Sequence, residues 1–337
     1  MKKLLNTLYI TSEGAWAHKD GANVVVQLEG QERGRAPLHL LGAIICFGQV
    51  GVSPQLMHAC AEAGVCITFL GRSGRFLARV EGPVSGNVLL RRVQHHRTLN
   101  DPLPVARAMV AAKAANQRGV LRRAMRDYGD PDGCLDAVER RLSDVARHAL
   151  DAPDGDILRG QEGEAANAYF SVFPNLIRVK NMIFNGRSRR PPRDAANALL
   201  SFLYVLLAAD CRAALESVGL DPQMGFLHRD RPGRASLALD LMEEFRAPLA
   251  DRLCLSLINR RQLGPSSFRH QETGGVVMTD DARKAVLTAW QERKRNPIEH
   301  LFLKEKLPFG LFPFVQAQLL ARHLRGDLDG YPAFVWR

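Results

Sequence analysis

The sequence predicts an α+β protein in two parts, a β-rich domain over residues 1–85 followed by an all-helical domain over residues 101–337. Three observations carry this. Before residue 85 the apolar residues fall in short or alternating runs punctuated by Gly14, Gly21, Gly30, Gly42, Gly51, Gly71 and Gly74, the pattern of strands and turns. After Asp101 the period is helical with few interruptions. A chain of 337 residues is also long enough for two cores.

The predicted strands are Leu4–Ile10, Asn23–Leu28, Pro37–Leu41, Ala43–Phe47, Val65–Leu70 and Arg75–Val80. One helix interrupts them, opening at Ser53-Pro54 with the proline in the first turn and running to Glu62. His18, His39 and His58 are scattered singly and read as surface or core residues rather than ligands. Residues 86–100 carry Arg91, Arg92, His95, His96 and Arg97 and read as a basic segment connecting the domains.

In the helical part, no acidic residue lies between Asp101 and Asp127, and Arg118, Arg122 and Arg126 repeat every four residues as a stripe on one helix face. A solvated face normally mixes both signs, so a single-sign stripe predicts a track for a phosphate backbone. A second basic group is the proline-containing loop Arg187-Ser-Arg189-Arg190-Pro-Pro-Arg193, leading into an apolar helix over Asp194–Leu207. Gly274-Gly275 predicts a small hairpin, and the Thr279-capped helix after it ends in the third group, Arg293-Lys294-Arg295.

The whole-chain balance agrees with those tracts. A net charge of +11 is unusual for an enzyme of small metabolites and favours a polyanion, nucleic acid or a membrane surface, as partner. The six cysteines form no CxxC pair and no zinc spacing, so they read as buried free thiols of a reducing compartment. The start MKKLL imitates a signal peptide, but Asn6, Thr7, Thr11, Ser12 and Glu13 are too polar for its apolar region. No run approaches eighteen apolar residues, so no membrane span is predicted and a cytoplasmic protein is expected.

Two stretches concentrate candidate chemistry. In Gly225–Arg246, His228 lies in a turn-rich segment ahead of an apolar helix that Ser236 is expected to cap. Asp240 shares a face with Glu243 and Glu244 at helical spacing, and carboxylates held together repel unless a cation, a proton or an arginine joins them. With the histidine they make a hard-metal donor set; the alternative is a solvated helix whose acids pair with Arg234 and Arg246. In Ile157–Phe170, Glu162 lies on one face with Ala165, Ala166 and Tyr169, on a side made small by Gly160 and Gly163, whereas Glu164 is turned away. Spacing alone leaves these alternatives open.

Four pieces in this order, Gln161-Glu-Gly-Glu-Ala-Ala-Asn-Ala-Tyr169, Asp194-Ala-Ala-Asn-Ala-Leu-Leu-Ser-Phe-Leu-Tyr204, Gly225-Phe-Leu-His228 and Asp240-Leu-Met-Glu-Glu-Phe-Arg246, resemble the CRISPR-associated integrase, the large nuclease subunit of the spacer-acquisition machinery. Gln316 and Tyr331-Pro-Ala-Phe-Val-Trp-Arg337 extend the likeness, which covers essentially the whole chain.

The resemblance implies an N-terminal β-sandwich, a C-terminal all-α catalytic domain and a homodimer, with two dimers around a dimer of the small second CRISPR-associated protein. It implies one divalent cation, Mg²⁺ or Mn²⁺, held by Glu162, His228 and Glu243. Asp240 stands behind the ligands or replaces one, Glu244 is a further candidate on the same face, and Tyr169 and Tyr204 line the site. Arginines of the stripe and of the basic loops would hold double-stranded DNA.

The implied reaction is attack of the 3′-hydroxyl of a short incoming DNA fragment on a phosphodiester of the CRISPR repeat, with hydrolysis as a side expression of the same site. A DNA-binding scaffold and a hydrolase of small phosphate esters are the competing readings. The intact Glu162, His228 and Glu243 speak against the first, and the several basic tracts against the second.

Overall fold

A computed structural model describes residues 7–71, 76–80, 82, 88–272 and 274–336. Leu4–Asn6 of the first predicted strand, Arg75 of the last and Arg337 lie outside the described residues. The chain divides into two compact units, Met1–Ser85 with Lys284–Arg295, and Gly86–Arg283 with Asn296–Arg337.

The first unit holds two four-stranded sheets. One has the order β1 (Thr7–Ile10), β5 (Ala43–Phe47), β7 (Cys66–Leu70), β8 (Phe76–Val80); the other has β4 (Gln31–Pro37), β3 (Asn23–Leu28), β2 (Trp16–Asp20), β6 (Gly51–Val52). β1, β5 and β7 run parallel, which requires a crossover, and α1 (Pro54–Ala63) supplies it between β5 and β7. Ser53 Oγ caps α1 by accepting from the Leu56 N–H, and Gly64 closes it at φ 67°, a conformation that suits glycine. Ala17 and Val24 of one sheet, Ile44, Cys46 and Ile67 of the other, and Leu56 and Cys60 of α1 form one apolar core.

The predicted strand at Pro37–Leu41 is instead a 3₁₀ turn over Leu38–Leu40, because Pro37 already ends β4. β2, β4 and β6 were not legible: β4 is Gln-Glu-Arg-Gly-Arg, an exposed edge with no apolar alternation.

The second unit is helical: α2 (Val88–Asn100), α3 (Leu103–Tyr128), α4 (Cys134–Leu150), α5 (Gly155–Ser171), α6 (Phe173–Leu176), α7 (Ala195–Ser217), α8 (Ser236–Phe245), α9 (Arg252–Asn259) and α11 (Phe312–Arg325), with α10 (Asp280–Arg295) shared between the units. The basic segment 86–100 therefore contains a helix rather than a plain connection, and buried Gln94 anchors it to the Asp221 and Met224 carbonyls. Two hairpins interrupt the helices, the expected one, β9 (Phe268–His270) with β10 (Val276–Met278), and β11 (Pro297–His300) with β12 (Glu305–Pro308).

α3 packs against α4, α5 and α8, and α7 against α8 and α11. By length and composition α7 could cross a membrane, but 56% of its apolar window is buried inside the protein, as in a core helix. Asp194 caps it through the Asn197 N–H.

α8 starts at Ser236 with Ala235 before it, so Ser236 is not its cap; its hydroxyl instead donates to the Arg229 carbonyl. The other end is set by Pro248. Lacking an N–H, it cannot bond the Glu244 carbonyl one turn earlier, and the chain widens into a π-turn over Arg246–Asp251 before α9 resumes.

Candidate active site

α3, α5 and α8 each present one charged side chain to a single place. Lys113, 3% exposed, forms an ion pair with Glu162 of α5, and its ammonium lies 2.8 Å from Oε2 of Glu243 on α8. The positive charge between these two carboxylates is thus a lysine from a third helix. Arg246 adds a second contact, 3.1 Å to Oε1 of Glu243. Burial opposes ionisation of Glu243, but Arg246 and Lys113 overcome it and hold its pKa down to about 2. Its buried Oε2 has no hydrogen-bond partner, and the Lys113 ammonium is the charge beside it.

The other two acids of α8 are committed elsewhere. Asp240, wholly buried, accepts the backbone N–H groups of Phe226 at 2.6 Å, Leu227 at 3.0 Å and His228 at 3.0 Å, and meets His228 Nδ1 at 2.5 Å. It folds the 225–228 loop around itself and orients the imidazole, leaving Nε2 as the nitrogen available to a ligand. Gly225 is required there, because a Cβ would lie 2.7 Å from Ser236 Cβ and 2.9 Å from both Asp240 Oδ2 and the His228 carbonyl. Glu244 takes the Tyr331 hydroxyl at 2.5 Å and the Phe334 N–H at 2.6 Å. Of the three acids, Glu243 is the one turned to Glu162.

The His228 loop is tied to α5 as well. Arg159, one turn before Glu162, donates to the Leu227 carbonyl at 3.2 Å, and Arg229 pairs with Asp156 at 2.6 Å. Among the described residues no three His, Cys, Asp or Glu side chains converge closely enough to hold a metal ion. The geometry gives the reason: an ammonium lies between two of the expected ligands, and the imidazole is turned to Asp240. The donor set nevertheless fits a hard divalent cation, with two carboxylates, one orienting carboxylate behind a histidine, and a buried oxygen short of a hydrogen-bond donor.

Behind this centre Tyr204 lies between two guanidinium groups, Arg246 at 4.8 Å and Arg187 at 5.3 Å from its ring. Its hydroxyl donates to Asp251 at 2.6 Å, and burial raises Asp251 to about 6. Tyr169, expected to line the site, is fully buried against Phe170 and Phe173; burial and then the Asp251 charge raise its phenol well above the ordinary value.

The expected DNA-binding residues separate into two groups. Arg118 and Arg122 both bond Glu139 of α4, at 2.9 Å and 2.5 Å, so the opposite sign missing from the stripe comes from a neighbouring helix. Arg187 bonds Asn197 and Ser201, and Lys294 is 2% exposed with its ammonium 6.0 Å from the Trp290 ring. Arg293 is half-buried, and Arg126, Arg189, Arg190 and Arg193 are exposed. Glu164, expected to turn away from the Glu162 face, is half-exposed and pairs with Arg141.

Lys113 was visible in the sequence only as one more cation of the acid-free helix. Its surroundings, Val110-Ala-Ala-Lys113-Ala-Ala, were the available signal that it points inward. Asn116 and Asp251 carried none beyond their types, whereas Arg246 was expected to pair with an acid of its own helix and does so with Glu243.

A model of the CRISPR-associated protein Cas1 family matches residues 8–292. A CRISPR-associated endonuclease Cas1 of Rhodospirillum rubrum is 56% identical over 345 aligned positions that span all of both chains, and one of Chlorobaculum tepidum is 51% identical over 343, again spanning both. Among solved structures, a Cas1 protein from Thermotoga maritima superposes with a TM-score of 0.82 at 23% identity, covering 95% of this chain and 97% of its own. A casposase bound to integration product superposes at 0.85 and 22% identity, covering 98% and 94%. At such identities the two structures speak for the fold alone.

Proposed function

The chain belongs to the CRISPR-associated Cas1 family, and on that premise we propose that it is the DNA endonuclease and integrase of spacer acquisition, joining short DNA fragments to a CRISPR repeat. The observation that carries the reading is the meeting of Glu162 and Glu243 at one buried positive charge, with Asp240 orienting His228 on a loop bonded to the helix of Glu162.

Glu162, Glu243 and Nε2 of His228 would hold one Mg²⁺ or Mn²⁺. When bound, that ion supplies Lewis-acid polarisation of the phosphodiester and offsets charge on the attacking and leaving oxygens. The remaining work falls to the chain itself. Asp240 keeps the imidazole in one tautomer and one direction. Arg246 holds Glu243 ionised at pH 7 and, beside Lys113, keeps positive charge where a phosphate would approach. In joining, the fragment's 3′ oxygen bonds to phosphorus as the repeat's 3′ oxygen leaves with a proton, one phosphodiester replacing another; in hydrolysis water takes the fragment's place.

Arg126, Arg189, Arg190 and Arg193 are exposed and serve double-stranded DNA through its phosphates. A homodimer, assembled with the small CRISPR-associated partner in the cytoplasm, completes the reading. A solved Cas6-RT-Cas1–Cas2 complex contains a chain of which 36% has this fold, at TM-score 0.82 and 24% identity over 98% of this chain.

Strand transfer tests it. Short duplex DNA with 3′-hydroxyl ends is offered to a repeat-bearing supercoiled plasmid, with the partner protein and Mn²⁺ or with EDTA. Metal-dependent joining by the wild type, lost in Glu162→Ala, His228→Ala and Glu243→Ala, is expected. Tight DNA binding with neither joining nor cleavage would leave a scaffold.

A further inference from the structure

Around Glu244 the protein builds a buried polar network with no part in the chemistry described. Pro248 cannot donate to the Glu244 carbonyl, and Asn116 Nδ2 does so instead, at 2.7 Å. The same amide nitrogen donates to the Phe334 carbonyl at 2.9 Å, and Asn116 Oδ1 accepts the Trp336 N–H at 2.7 Å. One wholly buried asparagine therefore joins three stretches: its own helix α3, the end of α8 and the segment Tyr331–Trp336.

The Glu244 carboxylate ties the same segment a second time, through the Tyr331 hydroxyl and the Phe334 N–H. Gln316 closes the ring by donating to Glu244 Oε2 at 2.9 Å and to the Pro332 carbonyl at 3.0 Å. Apolar contacts follow this path. Phe334 stacks on Phe245 at 5.4 Å with 16° between the rings, and the Arg252 guanidinium lies 4.3 Å from the Trp336 ring. Gly119, three residues along α3 from Asn116, leaves the space: a Cβ there would lie 3.1 Å from Trp336 Cε3.

The positions matter more than the number of bonds. Asn116 is one helical turn from Lys113, and Glu244 adjoins Glu243. We infer that the segment Tyr331–Trp336, acting through Asn116 and Glu244, is a positioning element of the catalytic centre, fixing the offset between α3 and α8 and so the gap between Lys113 and Glu243. Releasing it lets α8 slide against α3 and moves Glu243 relative to Glu162. Groups behind metal ligands commonly alter affinity by about 10–100-fold when removed, and these residues act in that way through backbone placement. The inference rests on the proposed metal site.

Mn²⁺ binding, followed by the free-ion electron paramagnetic resonance signal, tests it at a temperature where circular dichroism shows each variant folded. The wild type, Glu162→Ala, Asn116→Ala, Gly119→Leu and Tyr331→Phe are compared. The expected result is a Kd weakened about 10-fold or more in Asn116→Ala and Gly119→Leu. Tyr331→Phe, which keeps its ring and loses one bond to Glu244, should show a smaller weakening of a few-fold, and it carries the test if the other two do not fold.

Wild-type affinity in the folded variants, accompanied only by a lower Tm, would reduce the segment to a structural brace and overturn the inference. Failure of the underlying site looks different: Mn²⁺ would bind wild type and Glu162→Ala alike, or bind neither.

Discussion

Lys113 and Glu243 meet at 2.8 Å in a place where neither side chain is more than 4% exposed, and Glu162 shares the same ammonium. A charge so placed has no water to fall back on, so its partners govern both stability and ligand binding.

Lys113→Met should leave Glu162 without its ammonium partner and Glu243 with Arg246 alone to offset its charge. Removing one member of a buried ion pair typically costs about 3–5 kcal/mol. The metal-free variant is expected to lose several degrees in Tm, and Mn²⁺ should raise its Tm more than it raises that of the wild type. Equal melting of the two proteins without metal would contradict this.

Asp240→Asn keeps the shape but replaces one acceptor oxygen by an NH₂ group that faces N–H donors. Hydrogen bonds to a charged group contribute about 1.5–3 kcal/mol each. Hydrogen exchange at Phe226, Leu227 and His228 should accelerate, and strand transfer should fall even where the variant is folded. Unchanged protection of these three amides would show that Asp240 does not organise the loop.

Stability should fall between pH 4.5 and 7 on account of Glu244. Burial raises its carboxyl to about 7 from an unfolded value of 4.5, so across that window the native state binds the proton and the unfolded state does not. The contribution is present below 4.5 and lost as pH rises through 7, a change of roughly 3 kcal/mol at 1.36 kcal/mol per unit. Glu243 works in the opposite sense, its stabilisation vanishing only as pH falls from 4.5 toward 2. In metal-free protein Glu244→Gln should flatten the Tm profile between pH 5 and 7.5; an unaltered slope would assign it to another group, with Asp251 at about 6 the next candidate.

The basic residues should separate by salt dependence. Each lost phosphate contact lowers the slope of log K against log salt by about 0.9. Arg189→Ala, Arg190→Ala and Arg193→Ala should each reduce it toward that amount. Arg118→Ala, which breaks a bond to Glu139, should lower Tm and leave the slope unchanged. A slope that drops with Arg118→Ala would return the stripe to DNA.

Much of this was legible in the sequence, for local reasons. Asn23–Leu28 and Ala43–Phe47 show dense apolar runs bounded by turns, and Ser53-Pro54 is a self-contained helix start, so each element appears where its residues alone dictate. β4 and the short β6 gain their place from partner strands and carried no pattern. At the site, helical spacing put Asp240, Glu243 and Glu244 on one face but could not divide their work. That division depends on Phe226–His228 and Phe334, residues far apart in sequence that supply the donors. The pairing of Arg118 and Arg122 was not legible because their partner, Glu139, belongs to the next helix.

The most direct test of the catalytic assignment is nitrogen coupling to bound Mn²⁺, read by electron spin echo modulation. One histidine nitrogen coupling is predicted in the wild type and in Asp240→Glu, its loss in His228→Ala, and a sharp fall in affinity in Glu162→Gln and Glu243→Gln. A coupling that persists without His228, or affinity indifferent to both glutamates, would place the metal elsewhere and contradict the assignment.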